Sequence, residues 1–183
     1  YPKKGLKDEL ILANPISSEL NVMRNSLFPN LLDICNKNFS KSFETNSLFE
    51  IGYVFEGMKE EEQKLHLALV LSGIKRYKSW KYETEQFDFY DVKSRLMHLL
   101  KIKNINDDIR LDRSKEVWYH PGKSADVYVK NVKIGSLGEI HPNILKDFSI
   151  KQKTVLGNIC LSTLSKIEKT ENKKTSLSLS PFL

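Results

Sequence analysis

The segment that most constrains the fold is a run of residues, 64–74, that is apolar on two alternating sides. Leucines occupy the odd positions from Leu65 to Leu71, and Ala68 and Val70 lie between them. Successive side chains of a strand point to opposite faces of a sheet. This segment is therefore predicted to be a strand with both faces largely buried, unlike a strand that has one solvated face.

Two other segments repeat their apolar residues at helical spacing. The first lies near residues 27–39, with Pro29 in its first turn, where a missing N–H costs nothing. Its stripe comprises Leu27, Leu31, Ile34, Cys35 and Phe39. The second is predicted over residues 89–101, with Asp88 as its N-cap.

The remaining elements are mostly strands, and they come in runs. A hairpin is predicted with its turn at Lys130 and Asn131, and residues 142–148 are expected to form a short helix. Strands are predicted at 10–13, 47–55, 125–129, 132–140 and 155–161. Strands in runs, without strict βαβ alternation, favour an α+β fold with an antiparallel sheet.

Three polar stretches are expected to lie outside these elements. The acidic residues 56–63 are predicted to be a loop, and residues 75–86, which are charged and aromatic, are predicted to be exposed. Residues 165–176 are polar without periodicity and are predicted to be a linker or an exposed end.

Charge and composition define the class of the chain without defining a function. The 183 residues, 40% of them apolar, suffice for one ordinary domain, and the net charge is +6. The 29 basic residues include only five arginines, the side chain that most often grips phosphates and bases. A lysine-rich excess is compatible with a nucleic-acid partner, but it is more often solvated surface. No apolar run approaches the ~20 residues of a membrane span.

Spacing alone reveals no catalytic or metal-binding constellation. Residues 120–124, His-Pro-Gly-Lys-Ser, resemble part of a phosphate loop, but Val117 stands where that motif needs glycine and a strand is predicted to follow. They are interpreted as a tight turn. The four histidines lack metal-ligand spacing. Cys35 and Cys160 are interpreted as buried thiols of a reducing compartment, not as a disulfide.

Six stretches, taken together and in order, resemble the β subunit of bacterial phenylalanine–tRNA ligases. The resemblance covers about residues 10–150 and concerns the catalytic-like module of that subunit. The stretches are 14–19 (Asn-Pro-Ile-Ser-Ser-Glu), 23–32 (Met-Arg-Asn-Ser-Leu-Phe-Pro-Asn-Leu-Leu), 48–55 (Leu-Phe-Glu-Ile-Gly-Tyr-Val-Phe), 88–93 (Asp-Phe-Tyr-Asp-Val-Lys), 120–125 (His-Pro-Gly-Lys-Ser-Ala) and 134–142 (Ile-Gly-Ser-Leu-Gly-Glu-Ile-His-Pro).

The resemblance implies a class II synthetase-like fold, an antiparallel sheet flanked by helices, that has lost its chemistry. In such families the α subunit activates phenylalanine with ATP and transfers it to tRNA. Active strands carry arginines where this chain has Tyr53 and Glu56, and residues 156–161 lack the glycine-rich, arginine-ending signature. The module is therefore expected to hold no catalytic residue, cofactor or metal, whereas the whole complex uses ATP and Mg²⁺.

The resemblance also implies partners. The module is expected to dock the α subunit in a cytoplasmic α2β2 assembly that binds tRNA. One helix face is expected to pack on the domain's own sheet and another on the partner, although both could be buried within the domain. The expected interface residues are Met23, Arg24, Leu27, Phe28, Leu31 and Leu32. Lys123 is a candidate for a tRNA contact.

Residues 1–165 are expected to form this module, and residues 166–183 a linker and the start of an anticodon-binding module. Two alternatives remain open at this point. One is an active class II ligase paralogue, which would need arginines that grip phosphate. The other is a basic tRNA-binding module, whose affinity would fall steeply with salt because each phosphate contact releases counterions.

Overall fold

An antiparallel sheet with helices on both faces forms the described part of the chain. The computed structural model describes residues 10, 14, 22–105 and 109–172, and among these are seven strands and four α-helices. In chain order they are α1 (Phe28–Ser40), β1 (Thr45–Phe55), β2 (Gln63–Arg76), β3 (Glu85–Gln86), α2 (Phe89–Ile102), β4 (Ile109–Arg113), β5 (Tyr119–Val129), β6 (Val132–Ile140), α3 (Pro142–Asp147), β7 (Thr154–Cys160) and α4 (Leu161–Asn172).

The strand order places β2 next to an edge of the sheet but within its core. The order is β1-β2-β7-β6-β5-β4, every neighbour is antiparallel, and the short β3 pairs with the end of β2. Along β2, Leu67 and Leu71 face one core, whereas Ala68 and Val70 face the other. The prediction of a strand with two buried faces is therefore confirmed, and so is the α+β antiparallel fold class.

Each face of the sheet supports its own hydrophobic core. On one face α2 and α4 pack over β2, β6 and β7, so that Val92, Leu96 and Leu164 meet the odd residues of β2. On the other face α1 and the region of α3 cover the sheet with Leu31 and Phe148. A sheet that is apolar on both sides has to be covered on both sides, and the helical stripes of α1 and α2 supply the two layers.

Helix α2 begins and packs as its sequence predicts. The Asp88 carboxylate accepts the Tyr90 and Asp91 backbone N–H groups at 2.8 and 3.1 Å, and the Asp91 carboxylate accepts the Asp88 N–H at 2.9 Å. This reciprocal capping box satisfies the free N–H groups of the first turn. Further along, Leu96 reaches the sheet over Gly157, where a Cβ atom would lie 2.6 Å from the leucine.

The predicted hairpin is also present. Lys130 and Asn131 both adopt positive φ, at 48° and 65°, and Val129 pairs with Val132. Two consecutive left-handed residues match the twist of the flanking strands, which is why Asn favours such turns. The helix predicted at 142–148 is α3, and the strand predicted at 155–161 is β7.

Two predictions are corrected, and one strand was missed. Residues 161–172 form a helix, where a polar linker from residue 165 was expected, because Leu164 and Ile167 pack into the core. Strand β4 was not predicted. Residues 120–124 belong to β5, with a register shift between Tyr119 and Ser124, instead of forming a tight turn.

The acidic loop at 56–63 contains a short 3₁₀ turn, Glu60–Glu62. Of the strand predicted at 10–13, only Leu10 is described; it is buried and lies in a 3₁₀ turn. The boundary predicted at residue 165 stays a prediction, and residues 173–183 lie outside the described residues. Over the residues that are described, none of the helices has the length and apolar character that a membrane span requires.

Replacing Leu96 by alanine should test the packing of α2 on the sheet. Leu96 is almost completely buried against Gly157, so its loss should lower the free energy of unfolding by about 2–5 kcal/mol in urea titrations. Met58→Ala is the matched control, since Met58 is exposed, and it should change that free energy by less than about 0.5 kcal/mol. Equal effects of the two changes would contradict this packing.

Candidate functional site

A concave, mainly apolar part of the surface lies beside α1, on the face of the sheet that α1 covers. Phe28 stands between two adjoining cavities, one of about 180 Å³ towards α3 and one of about 90 Å³ towards β2. Its ring makes edge contacts with Trp118 and Tyr119, each with 6.5 Å between centroids. The larger cavity is walled mainly by Pro29, Leu32, Ile140, Ile144, Phe148 and Leu156. We call these two cavities together the α1 cleft.

The polar groups of the α1 cleft are few, and only some of them are hydrogen-bonded. The Asn158 side-chain oxygen accepts hydrogen bonds from the Ser136 N–H and hydroxyl, both at 2.9 Å. His66 Nε2 and Trp118 Nε1 are buried and make no hydrogen bond to the residues described. Among the lining residues described, none is arginine or lysine. The described lining of the cleft therefore offers apolar walls and neutral polar atoms, without the cations that a triphosphate needs.

The two positions where active synthetase strands are expected to carry arginine are not among the described lining of that cleft. Tyr53 is 54% exposed and points to the opposite face of β1 from Val54, which is buried in the core beneath α1. The Glu56 carboxylate lies 2.5 Å from the Lys64 ammonium group. One position is thus an exposed phenol and the other a paired carboxylate.

Arg24 is fixed against strand β1. Its side chain forms an ion pair with Glu50 and donates a hydrogen bond from Nε to the Tyr53 carbonyl oxygen at 2.8 Å, and its own carbonyl accepts the Phe55 N–H at 2.9 Å. The guanidinium lies over Gly52, where any Cβ atom would clash with it. A side chain at this strand position would displace the Arg24 guanidinium from its place over the strand.

The expected interface residues divide into two groups. Met23 and Arg24 are half-exposed. Leu27, Phe28, Leu31 and Leu32 are at most 8% exposed and belong to the domain's own core. Trp118, Ile140 and Phe148 of the same domain pack on that side of α1, beside Phe28 and Leu32, and the contact of these residues with the partner stays a prediction. The alternative, that both faces are buried within the domain, is the arrangement observed for these four residues.

A surface that the sequence analysis did not identify lies on strand β1. Phe49, Ile51 and Tyr53 alternate along one face of this edge strand and are 70%, 52% and 54% exposed. We call these three residues the β1 row. Large apolar side chains that stay exposed together are typical of interaction surfaces. The alternation is visible in the sequence, but the position of β1 at the sheet edge is not.

Lys123 lies in a small charged cluster. Its ammonium group is 3.1 Å from Glu139 Oε2, and Lys153 approaches the same oxygen at 3.5 Å. The carboxylate offsets one of the two charges, so the cluster keeps one net positive charge. The tRNA contact at Lys123 stays a prediction. No group of three or more histidine, cysteine or acidic side chains that could hold a metal occurs among the residues that are described.

The two cysteines are free and buried, as predicted, but they differ in acidity. Burial raises the pKa of Cys35 to about 12. For Cys160 the effect of burial is outweighed by the neighbouring His66 and by the Thr163 hydroxyl, which donates to the sulfur at 3.1 Å, so the pKa falls to about 7. Cys160 also directly precedes α4, whose N-terminal dipole favours a thiolate.

Iodoacetamide should therefore label Cys160 before Cys35 in the folded protein, and the rate should fall as the pH drops below about 7. Because folding lowers this pKa, Cys160 should add stability at higher pH and lose that contribution as the pH falls through about 7. Mass spectrometry of labelled peptides checks the order, with Cys160→Ser as the control. Faster labelling of Cys35 would contradict these environments.

The fold defines the class of the chain. Pyrrolysyl-tRNA synthetase from Desulfitobacterium hafniense superposes with a TM-score of 0.67 at 16% identity, over 90% of this chain and 55% of that one. A second structure of that enzyme gives 0.63 at 17% identity, over 86% of this chain and 53% of the other. The domain thus has the class II synthetase fold, which confirms the architecture expected from the sequence.

Sequence comparison then gives the family. The family model described as the phenylalanyl tRNA synthetase beta chain CLM domain matches residues 3–161, and the chain belongs to this family. Phenylalanine–tRNA ligase beta subunits of Carboxydothermus hydrogenoformans and Geobacter metallireducens are 37% and 34% identical, over 99% and 81% of this chain. The chain spans 24% and 20% of the length of those relatives.

Proposed function

We propose that this domain is a non-catalytic docking module of a phenylalanine–tRNA ligase, holding the subunit that carries the active site. Membership of the beta chain family supports the complex, and the composition of the α1 cleft supports the lack of chemistry. In the proposed α2β2 complex, ATP and Mg²⁺ act at the α subunit, tRNA is the acceptor, and the reaction takes place in the cytoplasm.

The charge of the α1 cleft is the reason to expect no ATP chemistry in this domain. A bound triphosphate is stabilised by charge-assisted hydrogen bonds, above all from arginine forks. The described lining of the α1 cleft carries no such group, and Glu56, at an expected arginine position, is a carboxylate held by Lys64. A nucleotide would therefore lose its hydration without gaining cationic partners. Nothing in this geometry favours the alternative of an active ligase.

The β1 row and its place on the outermost strand of the sheet support docking of the α subunit there. Phe49, Ile51 and Tyr53 present apolar surface beside the outer edge of the sheet, where Arg24 already binds the backbone of Tyr53 and Phe55. Four of the six residues that were expected to contact the partner are buried within the domain: Leu27, Phe28, Leu31 and Leu32. Of the expected interface residues, only Met23 and Arg24 are half-exposed. We therefore propose that the α subunit contacts the β1 row, with Met23 and Arg24 at its margin.

The double change Phe49→Asp plus Ile51→Asp should leave the domain folded, because both side chains are exposed in it. The same change should weaken association with the α subunit by at least about tenfold, because both side chains are buried in the proposed complex. Size-exclusion chromatography of the β subunit mixed with α measures the association, and thermal unfolding monitors the fold. Val117→Asp is the matched control, since Val117 is 76% exposed elsewhere. Undiminished association of the double variant would refute the assignment.

Isothermal titration of the domain with ATP and Mg²⁺ should give no binding tighter than roughly 1 mM, because the described α1 cleft contributes no cation. The α subunit in its complex serves as the positive control. Micromolar binding that His66→Ala or Asn158→Ala weakens would show that this cleft holds nucleotide after all.

A further inference from the structure

The connection between β2 and β3 carries the most exposed aromatic side chain that the structure describes. Trp80 is 96% exposed, and Tyr77 and Tyr82 beside it are 56% and 42% exposed. The surrounding sequence, residues 75–82, reads Lys-Arg-Tyr-Lys-Ser-Trp-Lys-Tyr, which alternates cations with rings. Neither the α1 cleft nor the β1 row includes these residues. We call residues 75–86 the tip hairpin.

Contacts within the tip hairpin hold its shape. Ser79 N–H donates to the Tyr82 carbonyl oxygen at 2.9 Å, and the Ser79 hydroxyl oxygen accepts the Tyr82 N–H at 3.2 Å, so Trp80 and Lys81 form the end of the turn. Arg76 is opposite Glu85 in the strand register and pairs with its carboxylate at 2.5 Å. Trp80 is thus presented to solvent by an ordered turn.

Cations lie close to the rings of this turn. The Arg76 guanidinium carbon lies 4.2 Å from the centroid of Tyr82, and Lys81 Nζ lies 5.3 Å from the same ring. Lys78 pairs with Glu83 at 3.0 Å, but both side chains are more than two-thirds exposed, at 68% and 80%. Exposed pairs of this kind contribute little stability, so Lys78 can exchange its carboxylate for a phosphate at little cost.

We propose that the tip hairpin binds a single-stranded segment of RNA, with Trp80 stacked on a base and Lys78 and Lys81 contacting phosphates. Sites for single strands combine aromatic platforms with cations that follow the backbone, and this turn has both. A protein partner is the less favoured occupant, because lysine is depleted from the cores of protein interfaces and Trp80 has lysines close to it on both sides in the chain. RNA provides negative charge and flat rings together.

The inference rests on the proposed function only for the source of the RNA, which would be the tRNA of the ligase. Binding of a plain oligonucleotide through Trp80 does not depend on docking of the α subunit through the β1 row. Failure of one proposal is therefore distinguishable from failure of the other.

The test uses the complete β subunit in complex with α and two probes, fluorescein-labelled dodecauridylate and the unmodified phenylalanine tRNA. Trp80→Ala should weaken dodecauridylate binding by roughly 5- to 150-fold, as expected for loss of one stacked base. Trp80→Phe, the matched control, keeps a ring and should retain most of the affinity. Lys81→Gln should reduce the salt slope by about 0.7, whereas Lys37→Gln, on exposed α1 surface, should leave it unchanged.

The readouts separate the possible outcomes. Weaker binding of dodecauridylate by Trp80→Ala, with an intact complex, supports the inference, and a parallel loss for tRNA identifies tRNA as the source. Unchanged affinity for both probes overturns it. Loss of α-subunit association in Trp80→Ala also overturns it, because Trp80 would then be a protein contact. Because Trp80 is almost fully exposed, thermal unfolding of the variants should match that of the wild type.

Discussion

The pairing of β2 with β7 in the interior of the sheet is the interaction on which the rest of the structure depends. Leu67 lies opposite Ile159 and Val70 opposite Leu156, so each pair contributes to a different face. Two adjacent strands that are apolar on both sides remain stable in water only if a layer of helices covers each side. The apolar stripe of α2 covers one side of these strands, and the apolar stripe of α1 covers the other.

This arrangement also determines what is left exposed. Helices α2 and α4 cover β2, β6 and β7. The outermost strand β1 is joined to α2 by a hydrogen bond from the Arg95 side chain to the Ser47 hydroxyl oxygen at 2.6 Å. The outer part of β1, with Phe49 and Ile51, therefore stays open on that face. On the other face, the apolar side chains of α1, including Phe28, fill much of the space beside the sheet. An apolar edge beside a cleft whose described lining carries no cation suits docking better than catalysis.

The sequence predicted the parts of the fold whose signal is local. The leucine alternation of β2, the stripe and Asp88 cap of α2, and the turn at Lys130 and Asn131 each lie within a few residues. Helix α4 was missed because polar residues separate its apolar side chains, Leu161, Leu164 and Ile167. Only the packing of these three side chains against the sheet identifies them as one face of a helix. Strand β4 is short, and its partner β5 defines it.

The site was less predictable because it depends on residues that are distant in sequence. The burial of Phe28 and Leu32 requires Trp118, Ile140 and Phe148, which no spacing within α1 reveals. The β1 row is an ordinary strand pattern until the strand order makes β1 an edge. The family resemblance predicted the fold class and the family, and these are confirmed. It did not predict which surface remains free for a partner.

The most direct measurement is an experimental structure of the complete α–β complex determined with ATP and Mg²⁺ present. We expect α-subunit atoms in contact with Phe49, Ile51 and Tyr53, nucleotide in the α subunit, and none beside Phe28 and Asn158. A complex in which these three side chains stay in solvent, or in which nucleotide occupies the α1 cleft, would contradict the proposed separation of docking from chemistry.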